Sequence, residues 1–114
     1  MATVSELYTY LNTLLPRSLS CEWDNDGLMV CGDPNAEVKK ILFTLDITMQ
    51  AVEYAEKVGA DLIISHHPLI FKGIKHMNGE DITSKKVIRL LQRGISAMSF
   101  HTRLDAAEGG INDI

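Results

Sequence analysis

The chain is poor in cysteine, in positive charge and in long apolar runs, and each shortage closes off a class of protein. Its two cysteines, Cys21 and Cys31, match neither a CxxC pair nor a zinc-finger spacing. With no secretion signal they are expected to be reduced thiols of a cytoplasmic protein, not a disulfide. Lys and Arg number 11 against 15 Asp and Glu, a net charge of -4. Lys39-Lys40 and Lys85-Lys86 are isolated pairs rather than a basic stripe, so no nucleic-acid partner is expected. No window approaches the roughly 18–20 apolar residues of a membrane span, so no membrane association is expected. Glu6 stands where a signal peptide would carry a basic segment and an apolar core. Internal repeats, low-complexity tracts, linkers and a phosphate-binding P-loop are also missing.

What is present is enough for a core. Residues 1–114 are 46% hydrophobic, and the length suits one α/β domain. Val4, Leu7, Leu11, Leu14 and Leu15 recur at helical spacing over residues 4–15, with Thr3 or Ser5 as cap and Pro16 as stop. Asn25-Asp26-Gly27 reads as a turn before a short apolar strand, Leu28–Cys31, and Gly32-Asp33-Pro34 as the turn after it. Ile41–Leu45 is a second strand. Thr48 caps a helix that carries Ala51, Val52, Ala55 and Val58 on one face and stops at Gly59. Leu62–Ser65 is a third strand. After a polar stretch over 72–82, Ser84 opens a helix bearing Val87, Ile88, Leu90 and Leu91 that stops at Gly94, and Ile95–Phe100 is a fourth strand. Strands alternating with ten-residue helices on short connections predict right-handed βαβ units. The fold class is therefore α/β: a mostly parallel sheet of about four strands with flanking helices. The tail Glu108–Ile114 reads as the entry to a further element, as though the chain stopped mid-fold.

The chemistry gathers at strand ends. The run Asp61-Leu-Ile-Ile-Ser65 delivers His66 and His67 in succession, and Pro68 stops the strand behind them. His101 and Asp105 follow the fourth strand, and Asp46 follows the second. Open parallel sheets collect functional groups beyond the carboxyl ends of their strands, so these residues should converge. Imidazoles and carboxylates together suit a divalent cation. Neighbouring side chains at a strand end point apart, which favours two ions over one, with Asp105 able to bridge them. Two ions roughly 3.5–4 Å apart would polarise a substrate oxygen and supply a nucleophile from water. Against this stand blander readings. A lone histidine at a strand end is more often a surface residue than a ligand. Asp46 is as readily a helix-entry residue as a functional one, and His76 reads as a solvated loop residue. Trp23-Asp-Asn-Asp-Gly27 is either an aromatic-anchored turn or a pocket-lining loop.

Six motifs in order carry a family resemblance: Trp23-Asp-Asn-Asp-Gly-Leu28, Gly32-Asp-Pro34, Leu45-Asp-Ile-Thr48, Gly59-Ala-Asp-Leu-Ile-Ile-Ser-His-His-Pro68, His101-Thr-Arg-Leu-Asp105 and Gly109-Gly-Ile-Asn112. From about residue 5 onward the chain resembles the NIF-three-like dinuclear metal-centre proteins, the GTP cyclohydrolase 1 type 2 homologues. The resemblance implies that His66, His67 and Asp105 are metal ligands and that His101 lies beside the metals in a catalytic or substrate role. It implies two divalent ions per complete site, with zinc, iron, manganese and nickel equally suited. It also implies a cytoplasmic, ring-shaped homo-oligomer, commonly a hexamer, with a nucleotide or phosphorylated small molecule as substrate of a hydrolase. A non-catalytic metal-binding scaffold is the alternative. Family members are about twice as long or more, and a histidine and a glutamate near their C-terminus complete the metal shell. This sequence has no counterpart for either; His76 and Glu80 copy the spacing in the wrong part of the pattern. The chain accordingly reads as the N-terminal portion of a longer family fold, inactive alone if the missing ligands are essential.

Overall fold

A computed structural model describes residues 2–15, 27–70 and 76–100. Helix α1 (Val4–Leu14) starts at a reciprocal cap. The Thr3 hydroxyl accepts from the Glu6 N–H, and the Glu6 carboxylate accepts from the Thr3 N–H, which satisfies two donors that a helix start leaves unpaired. Helix α2 (Met49–Val58) is capped by Thr48, whose hydroxyl accepts from the Ala51 N–H. It ends at Gly59 in the left-handed conformation, φ 74°, which glycine reaches without a Cβ clash. Helix α3 (Ile82–Gln92) begins two residues before the Ser84 start expected from sequence, because the Asp81 carboxylate takes the cap and accepts from the Ser84 N–H at 2.7 Å. Ser84 is instead fully buried inside the first turn, where its hydroxyl donates to the Asp81 carbonyl and accepts from the Gly79 N–H.

The strands are β1 (Gly27–Val30), β2 (Ile41–Thr44), β3 (Leu62–Ser65) and β4 (Ser96–Ser99), in the spatial order β1-β4-β3-β2. The pairs β2–β3 and β3–β4 are parallel, as the alternation of strands and helices predicts. The first strand lies one residue earlier than the sequence reading placed it and runs antiparallel to β4, with an irregularity between Leu28 and Val30. No helix links it to β2, so no crossover enforces a parallel direction.

Strand alternation sorts side chains to two faces. Ile63 and Ala97 join Val52, Ala55, Val87 and Leu90 in a core beneath α2 and α3. Leu62, Met98 and Phe100 join Val4 and Val38 in a second cluster under α1. The second face is covered unevenly: Leu62 and Met98 are fully buried, whereas Phe43 and Leu45 toward the β2 edge are 70% and 65% exposed. Among the described residues no helix is long and apolar enough to cross a membrane.

Helices α2 and α3 are joined by a charged contact, in which the Arg89 guanidinium donates to Glu56 at 3.0 Å. That hydrogen bond holds the Glu56 carboxyl below its ordinary value; burial opposes the shift, and the charges of Arg89 and Arg93 add to it. A depressed carboxyl pKa contributes stability that is present above the unfolded value and lost as pH falls through the folded one. Glu56→Gln is therefore expected to lower the melting temperature at neutral pH, with the difference from wild type closing as pH falls below the carboxyl range. Parallel thermal melts across that range check it. A gap that persists unchanged at acid pH would assign the loss to packing rather than charge.

Candidate metal centre

Three parallel strands end at one edge of the sheet in register. Thr44 of β2 lies beside Ser65 of β3, and Ser65 beside Ser99 of β4. The residues that follow these strand ends carry the polar chemistry. Beyond Ser65 the chain leaves the ladder, and the His66 and His67 N–H groups still donate to the Thr44 and Leu45 carbonyls at 3.3 and 2.9 Å. Both histidines are thereby fixed against the end of β2. Their rings stand nearly perpendicular, 80° apart in plane with centroids 5.1 Å apart. The two imidazoles thus meet edge to face, so the alternation expected of neighbours within a regular strand does not hold once the chain has left the ladder.

Asp46 resolves the ambiguity the sequence left at that position. Its Oδ1 lies 2.7 Å from His67 Nδ1. An ionised carboxylate can only accept, so the imidazole carries its proton on Nδ1. Both side chains are about half exposed, 47% for His67 and 60% for Asp46, and an exposed pair of this kind contributes little to folding, roughly 0–1 kcal/mol. What it sets is orientation: with Nδ1 committed to Asp46, Nε2 is the nitrogen suited to a cation, the usual support for a metal-binding histidine. Helix entry and the contact with His67 fall on one residue here, since Asp46 also precedes the Thr48 cap of α2.

His66 is less exposed than His67 and borders an open cleft of about 700 Å³ on the α1 side of the sheet, walled by Tyr10, Phe43, Leu45, Ile64 and Phe100. Two imidazoles, one braced by a carboxylate, beside an open cleft form a donor set suited to a divalent cation. They are not a complete shell. Among the described residues no group of three or more histidine, cysteine, aspartate or glutamate side chains is arranged to hold a metal ion. The expected third ligand, Asp105, and His101 lie outside the described residues, as do Cys21 and Trp23. Phe100, which precedes His101, is buried at the same sheet edge, and its N–H donates to the Ser65 carbonyl at 2.9 Å. His76 and Glu80, the out-of-place copy of a ligand spacing, are both exposed in the connection before α3.

Two residues of the site escaped sequence reasoning. Ser65 and Ser99 are buried, 2% and 0% exposed, with their hydroxyl oxygens 2.8 Å apart. The available signal was a serine closing each of two neighbouring apolar strands.

Comparison with known proteins agrees with this architecture. Residues 2–114 match the family described as Duf34/NIF3 (NGG1p interacting factor 3). A Listeria innocua protein named GTP cyclohydrolase 1 type 2 homolog is 36% identical over 109 residues, which cover 96% of this chain and 29% of that one. The crystal structure of a Bacillus cereus protein related to NIF3 superposes with a TM-score of 0.88 at 32% identity, covering 98% of this chain and 30% of that one. Reduced HcgD from Methanocaldococcus jannaschii superposes with a TM-score of 0.89 at 33% identity, covering 98% and 44% respectively. The chain thus spans less than half the length of each of these relatives.

Proposed function

This chain belongs to the Duf34/NIF3 family, and from that premise we propose that it is a metal-binding protein whose complete site is a dinuclear, metal-dependent hydrolase centre. The observation that carries the reading is the His67 imidazole held by Asp46 at 2.7 Å, next to His66 at the carboxyl end of β3. His66, His67 and Asp105 would hold the ions, of which zinc, iron, manganese and nickel all suit the donor set. Divalent ions there would supply Lewis acidity, polarising a substrate oxygen and acidifying water. Asp46 keeps the His67 proton on Nδ1. His101 is assigned the movement of a proton between water and leaving group, since imidazole titrates near neutral pH. The proposed substrate class is a nucleotide or a phosphorylated small molecule, in keeping with the cyclohydrolase homologue name of the Listeria protein, and the proposed working state is a cytoplasmic homo-oligomer.

The test is metal content by inductively coupled plasma mass spectrometry, on protein purified without a metal-affinity tag. A screen for metal-dependent nucleotide hydrolysis follows. About two ions per chain with turnover that a chelator removes is the expected result. No ion after reconstitution overturns the reading for this chain.

A non-catalytic binding role is favoured by one observation: the apolar side chains of Tyr10, Phe43 and Leu45 stand exposed around the same cleft as His66. His101→Ala separates the two readings. An enzyme loses turnover while keeping its ions, whereas a scaffold keeps both its ions and its partner.

A further inference from the structure

The row of hydroxyls at the carboxyl edge of the sheet has a direction. The Ser65 hydroxyl donates to the His67 carbonyl at 2.8 Å. A serine has one hydroxyl proton, so in the 2.8 Å contact between Ser65 and Ser99 the donor is Ser99. The Ser99 oxygen accepts in turn from the Leu69 N–H at 3.3 Å. The relay therefore runs from the Leu69 N–H through Ser99 and Ser65 to the His67 carbonyl, and it closes both ends of the turn that carries His67 and Pro68. On the neighbouring strand, Thr44 repeats the device. Its hydroxyl donates to the Asp46 carbonyl at 3.0 Å, two residues on, as Ser65 does to His67. Thr44, Ser65 and Ser99 are register partners on one face of the sheet.

From this geometry we propose that Thr44, Ser65 and Ser99 are positioning residues, a hydroxyl row that fixes the backbones of Asp46 and His67 so that their side chains meet and His67 keeps its proton on Nδ1. The pair itself is too exposed to hold this geometry through its own attraction. The buried serines supply the rigidity instead, because a hydrogen-bonded group in a dry interior has no water to exchange with. The inference deepens the metal-centre reading and rests on it only for the consequence, not for the geometry.

The experiment is a nitrogen–proton correlation spectrum of the histidine rings in the metal-free chain at alkaline pH, followed by a zinc titration. It compares wild type with Thr44→Val, Ser65→Ala, Ser99→Ala and the control Ser96→Ala, a buried serine at the opposite end of β4. Wild type should show His67 as the Nδ1–H tautomer. The three row variants should drift toward Nε2–H while Ser96→Ala stays with wild type, and zinc affinity should fall roughly 10–100-fold in the row variants alone. If a serine variant fails to fold, Thr44→Val decides, since valine keeps threonine's shape at a half-buried site. Row variants with a wild-type tautomer overturn the proposal, as does a wild-type chain that is not Nδ1–H. Tautomer drift in a chain that takes no zinc supports the positioning row and overturns the metal reading instead.

Discussion

Alanine at both His66 and His67 is expected to reduce metal binding to background, with the chain still folded. In the proposed site the two imidazoles would be the nitrogen ligands, and imidazole is the donor that gives such a site its preference for transition metals over magnesium or calcium. Asp105, left alone, would offer a single hard oxygen with little hold on a soft or borderline ion. Folding should survive because His67 is about half exposed and its contact with Asp46 contributes little stability. Asp46→Asn separates ligation from support. An asparagine side chain can still meet Nδ1, but it carries no charge and can present its NH₂ group, which favours the opposite tautomer. Affinity should then fall by roughly 10–100-fold rather than vanish. Isothermal titration with zinc and with cobalt, beside circular dichroism of each variant, measures both effects. A double-histidine variant that binds as tightly as wild type would move the metal site elsewhere in the chain.

The strand ends were legible in the sequence because they combine two signals that rarely coincide. Leu62–Ser65 is an apolar run of strand length whose bounds the structure reproduces without change, and it ends in polar residues that a buried strand has no packing reason to carry. The caps Thr48 and Gly59 were equally readable, since each solves a local backbone problem that only a few residue types can solve. Legibility failed where the deciding partner is distant in sequence. The direction of β1 depends on its pairing with β4, about seventy residues away, and no local pattern encodes that choice. Asp46 could not be assigned from its own surroundings because its role is fixed by His67, 21 residues on. Ser65 and Ser99, 34 residues apart, look like ordinary small residues until register places them side by side. Asp81 beat Ser84 to the cap of α3 for a local reason. A serine three residues into a helix can satisfy itself on the preceding turn, and a carboxylate at the start cannot be bettered by it.

The largest stability effect is expected from Leu62→Ala, and its sharpest control is Phe43→Ser on the same face of the same sheet. Leu62 is fully buried, flanked in the ladder by Ile41 and Ser96, and packed with Val4, Val38, Met98 and Phe100 under α1. Truncating a leucine in such a place removes apolar burial and leaves a void that its neighbours only partly close, a loss of about 2–5 kcal/mol. Against a domain's total of roughly 5–15 kcal/mol this is severe, and the melting temperature should fall by about 10 °C or more. Phe43 is the larger side chain, yet 70% of it is exposed. Removing it should therefore change stability by no more than about 0.5 kcal/mol. Thermal and urea melts of the two variants, run at low protein concentration, give the comparison directly. If Phe43→Ser proves as damaging as Leu62→Ala, the open face around Phe43 and Leu45 is covered in solution. A concentration-dependent melting temperature in the wild type would then identify the cover as a second copy of the chain, because only association makes stability depend on protein concentration.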